Sequence, residues 1–379
     1  MSVVIEKKAE KADNVAELLS VKPNLIGMTR DSLAEALKPL GVEAFRTKQI
    51  WQWLYQKGVT DFSAMSNIKK DVQQKLADAF TIERAGIARN AVSFDATQKW
   101  LLKFADGNEV ETVFIPDAER GTLCVSSQVG CTLACTFCHT GTQRLVRNLT
   151  ASEIITQVLV AKDGLKDWNK PSDSARALSN IVFMGMGEPL FNYDHVVTAC
   201  NVLLDHEGLN LSRRKVTVST SGVVPKIVPL AKDAGVNLAI SLHAVTNELR
   251  NEIVPINRKY PIEELLDACR EYVSIVKDRR IMFEYVMLKG VNDSDEDAKR
   301  LVQLLKGIPS KVNLIPFNPW PGAPYECSSN NRIHSFGRII IAGGIASPIR
   351  KTRGDDIMAA CGQLKSLSEL KKGQKVKLK

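Results

Sequence analysis

The sequence predicts an α/β fold: a partial (β/α)6 barrel with a small N-terminal helical domain and a β-hairpin extension. Over residues 121–350, six short apolar, β-branched segments alternate with amphipathic stretches, which predicts parallel strands joined by right-handed helical crossovers. Over residues 29–90, apolar residues recur at helical spacing. Between these regions, residues 91–120 hold two strand-like segments about an Asp106-Gly107 turn, a strong hairpin signal.

The N-terminal region divides into a lead and a domain. Residues 1–28 show no clear period, and we expect a flexible lead. We expect residues 29–90 to be a helical accessory domain that binds RNA, because basic and aromatic side chains interleave on its polar faces. A solvated face over a helical core explains them equally well. The side chains are Arg46, Lys48, Lys57, Lys69 and Lys70, with Trp51 and Tyr55.

In a barrel of this kind the chemistry lies where the strands end. The predicted strands span residues 122–129, 180–186, 215–221, 237–243, 280–288 and 311–317. Candidate residues follow five of them: Cys131, Cys135 and Cys138, then Gly187 and Glu188, Ser219, the run Ser241, Leu242 and His243, and Asn318. Ser219 and Asn318 also suit turns or caps, and a histidine at a strand end is more often a scaffold residue than a catalyst.

The cysteine triplet, Cys131, Cys135 and Cys138, predicts a metal centre. Three thiolates within eight residues repel one another unless a cation or an iron-sulfur cluster takes up their charge. Structural zinc with Cys124 or His139 as fourth ligand is one alternative. A 4Fe-4S cluster with one open iron is favoured, because the second CxxC pair typical of zinc sites is absent.

Composition limits the partners and the compartment. The chain has 379 residues, and 51 Lys+Arg against 42 Asp+Glu give a formal charge of +9, which suits a nucleic acid partner. No apolar run is long enough to span a bilayer, and the N-terminus lacks a signal peptide, so we expect a cytoplasmic protein without a membrane partner. Eight scattered cysteines are typical of reduced thiols plus a metal site.

The segment CTLACTFC resembles the signature of the radical S-adenosylmethionine (SAM) superfamily. GMGEP, one strand later, is similar to that superfamily's motif for the amino group of SAM, here Gly187 and Glu188. The resemblance implies a partial (β/α)6 barrel, a 4Fe-4S cluster on the cysteine triplet, and SAM bound to the open iron.

A longer set of motifs resembles the RlmN/Cfr group of radical SAM RNA methyltransferases. The match runs from Glu111 to Leu364 through VETVFIP, LCVSSQVGC, RNLT, VTVSTSGVVP, AISLHA, EIVPINRKY, NLIPFNPWPG and RKTRGDDIMAACGQL. Within the group the chain is similar to the RlmN branch, which methylates carbon-2 of adenosine in 23S rRNA and some tRNAs. The resemblance implies that Ser219, Ser241, Leu242, His243 and Asn318 complete the SAM pocket.

The resemblance also implies the reaction. Cys361 matches the cysteine that carries the methyl group, Cys124 the one that resolves a covalent enzyme-RNA intermediate, and Glu111 the proton acceptor. Two SAM molecules are used per turnover, one as methyl donor and one as source of a 5'-deoxyadenosyl radical, and a Cys124–Cys361 disulfide remains. From the residues alone, either cysteine is equally well a buried apolar residue, and alternation makes Glu111 the outward neighbour of Val110.

Two alternative functions stay open: the carbon-8 methylating branch of the same group, and a non-catalytic, zinc-stabilised RNA-binding protein. Expected partners are 23S rRNA, tRNA and an electron donor such as flavodoxin, with the protein a monomer. Residues 351–379 are expected to hold the active-site cysteine loop and a basic tail that attracts RNA, and residues 139–143 match nothing in the resemblance. Candidate phosphate contacts are Arg144, Arg147, Arg213, Arg214, Arg350, Lys351 and Arg353.

Overall fold

The computed structural model describes residues 22–117, 121–168 and 176–368. The N-terminal part is helical, as predicted, with α1 (Arg30–Leu37), α2 (Ala44–Gln52) and α3 (Lys70–Ala79). Most of the predicted lead, up to residue 21, and the tail from residue 369 lie outside the described residues.

Two aromatic residues of this helical part, Trp51 and Tyr55, do not lie on the polar surface where they were predicted. Both are buried, with ring centroids 4.5 Å apart. Tyr55 Oη accepts a hydrogen bond from the backbone N–H of Gly27 at 2.8 Å. Trp51 Nε1 donates to Asp205 Oδ1 at 3.2 Å, which fastens the helical part to the barrel. These rings are structural and are not available to stack on RNA bases.

The predicted hairpin is present and extends the main sheet. Strands β2 (Gln98–Lys103) and β3 (Glu109–Ile115) pair antiparallel, with Gln98 opposite Phe114. A strand not predicted from the sequence, β1 (Gly86–Val92), pairs with the free edge of β2. Most of its residues are exposed and lack apolar alternation, so the sequence contains no signal for it.

The six predicted strands all form, and all six are parallel. They are β4 (Gly121–Cys124), β7 (Leu178–Phe183), β8 (Val216–Thr220), β9 (Asn237–Ser241), β10 (Ile281–Met287) and β11 (Ser310–Pro316). The sheet order is β1-β2-β3-β4-β7-β8-β9-β10-β11, with β3 and β4 antiparallel. Two-residue strands β5 (Gln128–Val129) and β6 (Arg147–Asn148) pair separately. No pairing between β4 and β11 appears among the described residues, so the barrel is open.

Helices connect the parallel strands and cover the outer face of the sheet. They are α4 (Ala151–Gly164), α5 (Tyr193–Leu204), α6 (Val224–Asp233), α7 (Asn247–Ile253), α8 (Ile262–Ile275), α9 (Asp295–Leu304) and α10 (Asn330–Ala342). After α10, the chain returns alongside β11, where Arg350 N–H donates to Leu314 O at 2.8 Å, and then forms the C-terminal loop. Helices of the described parts are too short or too polar to cross a bilayer.

Candidate active site

The cysteine triplet lies in a loop between β5 and β6. The loop begins at Gly130, which has φ +78°, and a Cβ there would lie 2.2 Å from the carbonyl oxygen of Arg144. All three cysteines line a single cleft of about 990 Å³ including its open mouth, at the C-terminal ends of the parallel strands. Of the strand-end residues predicted to share this mouth, Gly187, Glu188, Ser219, Ser241 and His243 line the cleft, whereas Leu242 and Asn318 do not.

Burial keeps these thiols neutral while no cation is bound. Burial, with smaller contributions from the neighbouring Cys138 and Glu188, raises the pKa of Cys131 to about 12. The pKa of Cys135 is raised well above its ordinary value by burial and by the other two cysteines, while Arg250 lowers it. Burial also raises the pKa of Cys138. A bound metal centre would supply the positive charge that lets the thiols ionise and act as ligands.

The donor set fits a 4Fe-4S cluster with one open iron. Three thiols of one loop face the cleft; the fourth cysteine that lines it, Cys361, lies on the C-terminal loop, and strand ends form the rest of its wall. Within the described ranges, no three Cys, His, Asp or Glu side chains converge closely enough to hold one metal ion. A cluster needs no such convergence, because each thiolate binds a different iron. The three cysteines would hold the cluster, and the remaining iron would face the cleft.

Gly187 and Glu188 follow β7 and line the same cleft. Gly187 has φ +97°, and a Cβ would lie 2.4 Å from Gln128 Cβ, so only glycine fits without a shift. The Glu188 carboxylate is buried and accepts hydrogen bonds from the backbone N–H groups of Leu190 at 3.0 Å and Ser221 at 2.9 Å. Burial raises the pKa of Glu188 to about 7. An ammonium ion in the cleft would favour its ionised form.

Ser219, Ser241 and His243 also line this cleft. His243 has φ +59°, an uncommon conformation for a residue other than glycine, and its ring meets Phe137 edge-on at 4.6 Å. Its Nδ1 accepts a hydrogen bond from the backbone N–H of Val286 at 3.1 Å. Burial lowers the pKa of His243 to about 3, so the ring is neutral and carries its proton on Nε2, as a donor.

Two further predicted SAM-pocket residues lie elsewhere. Leu242 is fully buried and does not line the cleft; its backbone joins β9 to β10. Asn318 lines a second cleft, where its Nδ2 donates to the backbone carbonyl of Cys361 at 3.1 Å and its Oδ1 accepts from Thr352 Oγ1 at 3.0 Å. In this structure the Asn318 side chain holds the C-terminal loop.

Sequence reasoning missed the residue that organises the strand ends, Arg250. Its fully buried guanidinium donates to the carbonyl oxygens of Ser221 at 2.7 Å and Ser241 at 3.0 Å. It also donates to Leu242 O and to Asn257 Oδ1. Burial lowers the pKa of Arg250 to about 10. No local pattern marks such a residue, since three of these partners are main-chain carbonyls at the ends of two different strands.

Cys361 and Arg350 each line both this cleft and the second one. Both residues therefore lie where the two clefts meet. Cys361 keeps exposed surface, yet desolvation of its thiol raises the pKa of Cys361, while Arg350 lowers it. Burial, with a smaller contribution from Cys361, raises the pKa of Cys124 at the end of β4 to about 12. Arg350 donates to Glu284 Oε1 at 3.1 Å, so the guanidinium near both thiols is fixed by a buried carboxylate.

Glu111 on β3 is buried, contrary to the outward position that alternation predicted, because β3 is covered on both faces. In the β3–β4 register Val113 lies opposite Cys124, so Glu111 and Cys124 point to the same face as diagonal neighbours. Glu111 Oε1 pairs with Lys99 Nζ at 2.8 Å, and Oε2 accepts the backbone N–H of Lys365 at 2.9 Å. The carboxylate therefore contacts the loop that carries Cys361, although it lines neither cleft.

The second cleft, of about 880 Å³, is lined by both cationic and apolar side chains and by one acidic residue, Asp117. Arg350, Lys351 and Arg353 contribute the cations, and Ile115, Pro116, Ile315, Pro316, Ala359 and Ala360 the apolar surface. Arg353 lies 3.8 Å from Asp95. Among the other predicted phosphate contacts, Arg147 forms ion pairs with Glu153 at 2.7 Å and with Asp106 at 2.5 Å. Its role is therefore structural.

Comparisons with known proteins agree with this geometry. Residues 125–302 match the radical SAM superfamily, and residues 23–82 match the ribosomal RNA large subunit methyltransferase N-terminal domain. The chain is 54% identical to the dual-specificity RNA methyltransferase RlmN of Rhodopseudomonas palustris, over 97% of this chain and 96% of that one. It is 58% identical to the RlmN of Dinoroseobacter shibae, over 92% and 90%.

A solved structure shows the same fold. The crystal structure of a radical SAM methyltransferase from Sphaerobacter thermophilus superposes with a TM-score of 0.84 at 44% identity, over 90% of this chain and 99% of that one. The likeness extends over the open barrel and most of the rest of the described chain.

Proposed function

The chain belongs to the RlmN family of radical SAM RNA methyltransferases, and from that premise we propose that it methylates carbon-2 of adenosine in 23S rRNA and in tRNA. Membership implies a 4Fe-4S cluster and SAM. The observation that carries the proposal is the position of Cys361, on the boundary between a cleft lined by the cysteine triplet and a cleft lined by three cations. A group on its sulfur can face cofactor on one side and RNA on the other.

The two cysteines would act in sequence. When bound, the cluster and two SAM molecules per turnover supply the methyl group and the radical that removes a hydrogen atom from it. Cys361 carries the carbon as a thioether and joins it to carbon-2 of the adenine. The adduct loses its unpaired electron, for which a bound cluster would be the acceptor. Cys124 would then attack the Cys361 sulfur as thiolate; the electron pair of the sulfur–carbon bond goes to the carbon, which takes up a proton to become the methyl group, and a Cys124–Cys361 disulfide remains. Arg350 supports this step, because its positive charge lowers the pKa of both thiols and so opposes the effect of their burial.

Glu111 would remove the proton from carbon-2. It shares a face with Cys124 and is bonded to the Cys361 loop through Lys365 N–H. Lys99, paired with Glu111 at 2.8 Å, holds in place the carboxylate that would act as the base.

The second cleft would receive the target nucleotide. Lys351 and Arg353 offer charge for phosphates, and the apolar wall formed by residues such as Pro116 and Pro316 suits the face of a base taken out of its stack. The eight cysteines are all free thiols in this structure, which suits the cytoplasm, where the RNA substrates are. An electron donor such as flavodoxin and a monomeric enzyme complete the proposal.

Anaerobic reconstitution with iron and sulfide, followed by mass spectrometry of nucleosides from treated RNA, tests the proposal. Methyl on carbon-2, with two SAM consumed per methylated adenosine, is expected; methyl on carbon-8 would assign the other branch of the group. Cys361→Ala should abolish methylation, whereas Cys124→Ala should leave RNA bound covalently to the protein. Cys327→Ala is the control, since this exposed thiol lines neither cleft. Free turnover by Cys124→Ala would contradict the assignment.

A further inference from the structure

Residues 139–143, the sequence HTGTQ, follow the cysteine triplet and have no part in the proposed chemistry. In the structure they form a short turn, and four of the five residues hydrogen-bond the C-terminal loop of residues 361–368, which we call the carrier loop because it begins at Cys361. The four are His139, Thr140, Thr142 and Gln143. A segment without an assigned role thus holds the residue proposed to carry the methyl group.

The first two contacts lie next to Cys361 itself. The backbone N–H of His139 donates to Gly362 O at 2.7 Å, and its Nδ1 bonds Gln363 O at 3.2 Å. Thr140 Oγ1 donates to Leu364 O at 2.5 Å and is buried. The His139 ring stacks on Trp320 at 4.9 Å with 4° between the planes, which fixes its orientation.

Gln143 joins the cysteine triplet to the carrier loop. Its backbone carbonyl accepts the N–H of Cys131 at 3.1 Å. Its buried side chain accepts the N–H of Ser366 at 3.2 Å and donates to Ser366 Oγ at 2.9 Å and Ser368 O at 2.8 Å. One residue is thereby bonded to the first cluster ligand through its main chain and to the carrier loop through its side chain.

We propose that residues 139–143 dock the carrier loop, with Gln143 as the positioning residue, and that this docking couples filling of the cysteine triplet to the placement of Cys361 between the two clefts. The inference rests on the proposed role of Cys361 as methyl carrier. Coupling between two sites is reciprocal, so a docked loop also favours a filled triplet. Filling the triplet should therefore shift the carrier loop further toward its docked position.

Hydrogen exchange at single amides, in the full chain without RNA or SAM, tests docking apart from activity. Two backbone N–H groups serve as reporters: that of Lys365, which donates to Glu111 Oε2, and that of His139, which donates to Gly362 O. Both acceptors remain when Gln143 is replaced. In the wild type, reconstitution with iron and sulfide should slow hydrogen exchange at both reporter amides. In Gln143→Ala both should exchange faster, on the order of 100-fold for three lost hydrogen bonds, with or without iron and sulfide.

Gln73→Ala is the matched control. Gln73 also donates two side-chain hydrogen bonds to backbone carbonyls, of Met65 and Ile68, but in the helical part. The Gln73→Ala variant should leave the exchange rates of both reporter amides unchanged. Unchanged exchange in Gln143→Ala would overturn docking, and wild-type exchange that does not respond to iron and sulfide would overturn the coupling.

A second readout separates positioning from a structural role. In reconstituted Gln143→Ala with iron content equal to the wild type, the ratio of 5'-deoxyadenosine formed to adenosine methylated should rise, because a displaced Cys361 lets the cofactor be cleaved without productive transfer. Gln143→Glu keeps the acceptor for Ser366 N–H, so its ratio should lie between those of the wild type and of Gln143→Ala. An unchanged ratio would overturn the positioning role. If wild-type enzyme methylates no RNA, the proposed function fails, whereas the exchange result still decides docking.

Discussion

The two halves of the site are held by different means. The half that faces the cysteine triplet is built on strand ends, where Arg250 binds the carbonyls of Ser221 and Ser241, and two backbone N–H groups bind Glu188. The half that carries Cys361 lies on a loop held mainly by side chains of the hairpin and of residues 139–143. Damage to the first half should therefore unfold the barrel, and damage to the second should displace Cys361 with the barrel intact.

The largest loss of stability is expected from Arg250→Met. The substitution leaves several strand-end carbonyls buried without a donor, and we expect the free energy of unfolding to fall by about 4 kcal/mol. Urea denaturation of the protein without its cluster measures this. Arg338→Met, at an exposed arginine bonded only to Ser335 of its own helix, should change the value by less than about 0.5 kcal/mol. Equal effects of the two variants would refute the role of Arg250.

The second prediction concerns Lys99, which belongs to the loop half. Its Nζ binds both Glu111 Oε1 and Met358 O, at 2.8 and 2.9 Å. Lys99→Met leaves a buried carboxylate with one backbone donor, at a cost of about 3 kcal/mol. Unlike Arg250→Met, it should also lower the rate of RNA methylation, because the carboxylate proposed as the base loses the side chain that holds it in place. Lys103→Met, at an exposed lysine on the same strand, is the control, and an equal loss of rate there would contradict the pairing.

These residues show how far the sequence leads. All six parallel strands and the hairpin could be predicted, because their apolar patterns are local, and the cysteine triplet could be predicted from its spacing. Arg250 and Lys99 could not, since each binds partners brought close only by folding. Trp51 and Tyr55 were misplaced for the same reason: their burial depends on packing between the helical part and the barrel.

The third prediction tests whether the strand-end half depends on close main-chain approach. Gly187→Ala places a Cβ 2.4 Å from Gln128 Cβ at φ +97°. Gly344→Ala has a similar φ, +82°, with no heavy atom within 4 Å, so it measures backbone strain alone. Gly187→Ala should lower the free energy of unfolding by about 2 kcal/mol more than Gly344→Ala. Equal values in urea denaturation would mean that crowding against Gln128 has no energetic consequence.

The last prediction is a pH dependence assigned to Glu188. Its pKa of about 7 exceeds the ordinary value of 4.5, so between these values the folded protein keeps a proton that the unfolded chain has lost. Stability contributed by Glu188 is therefore complete below about pH 4.5 and is lost as the pH rises to about 7, by at most about 1.4 kcal/mol per pH unit.

His243 acts in the opposite direction, because its pKa is lowered, to about 3. The measured quantity is therefore the difference in free energy of unfolding between the wild type and Glu188→Gln, followed from pH 5 to 7.5 in protein without its cluster. That difference should fall with rising pH. A difference that stays constant would mean that Glu188 is ionised throughout, and that two backbone donors suffice to hold its charge in the strand-end half of the site.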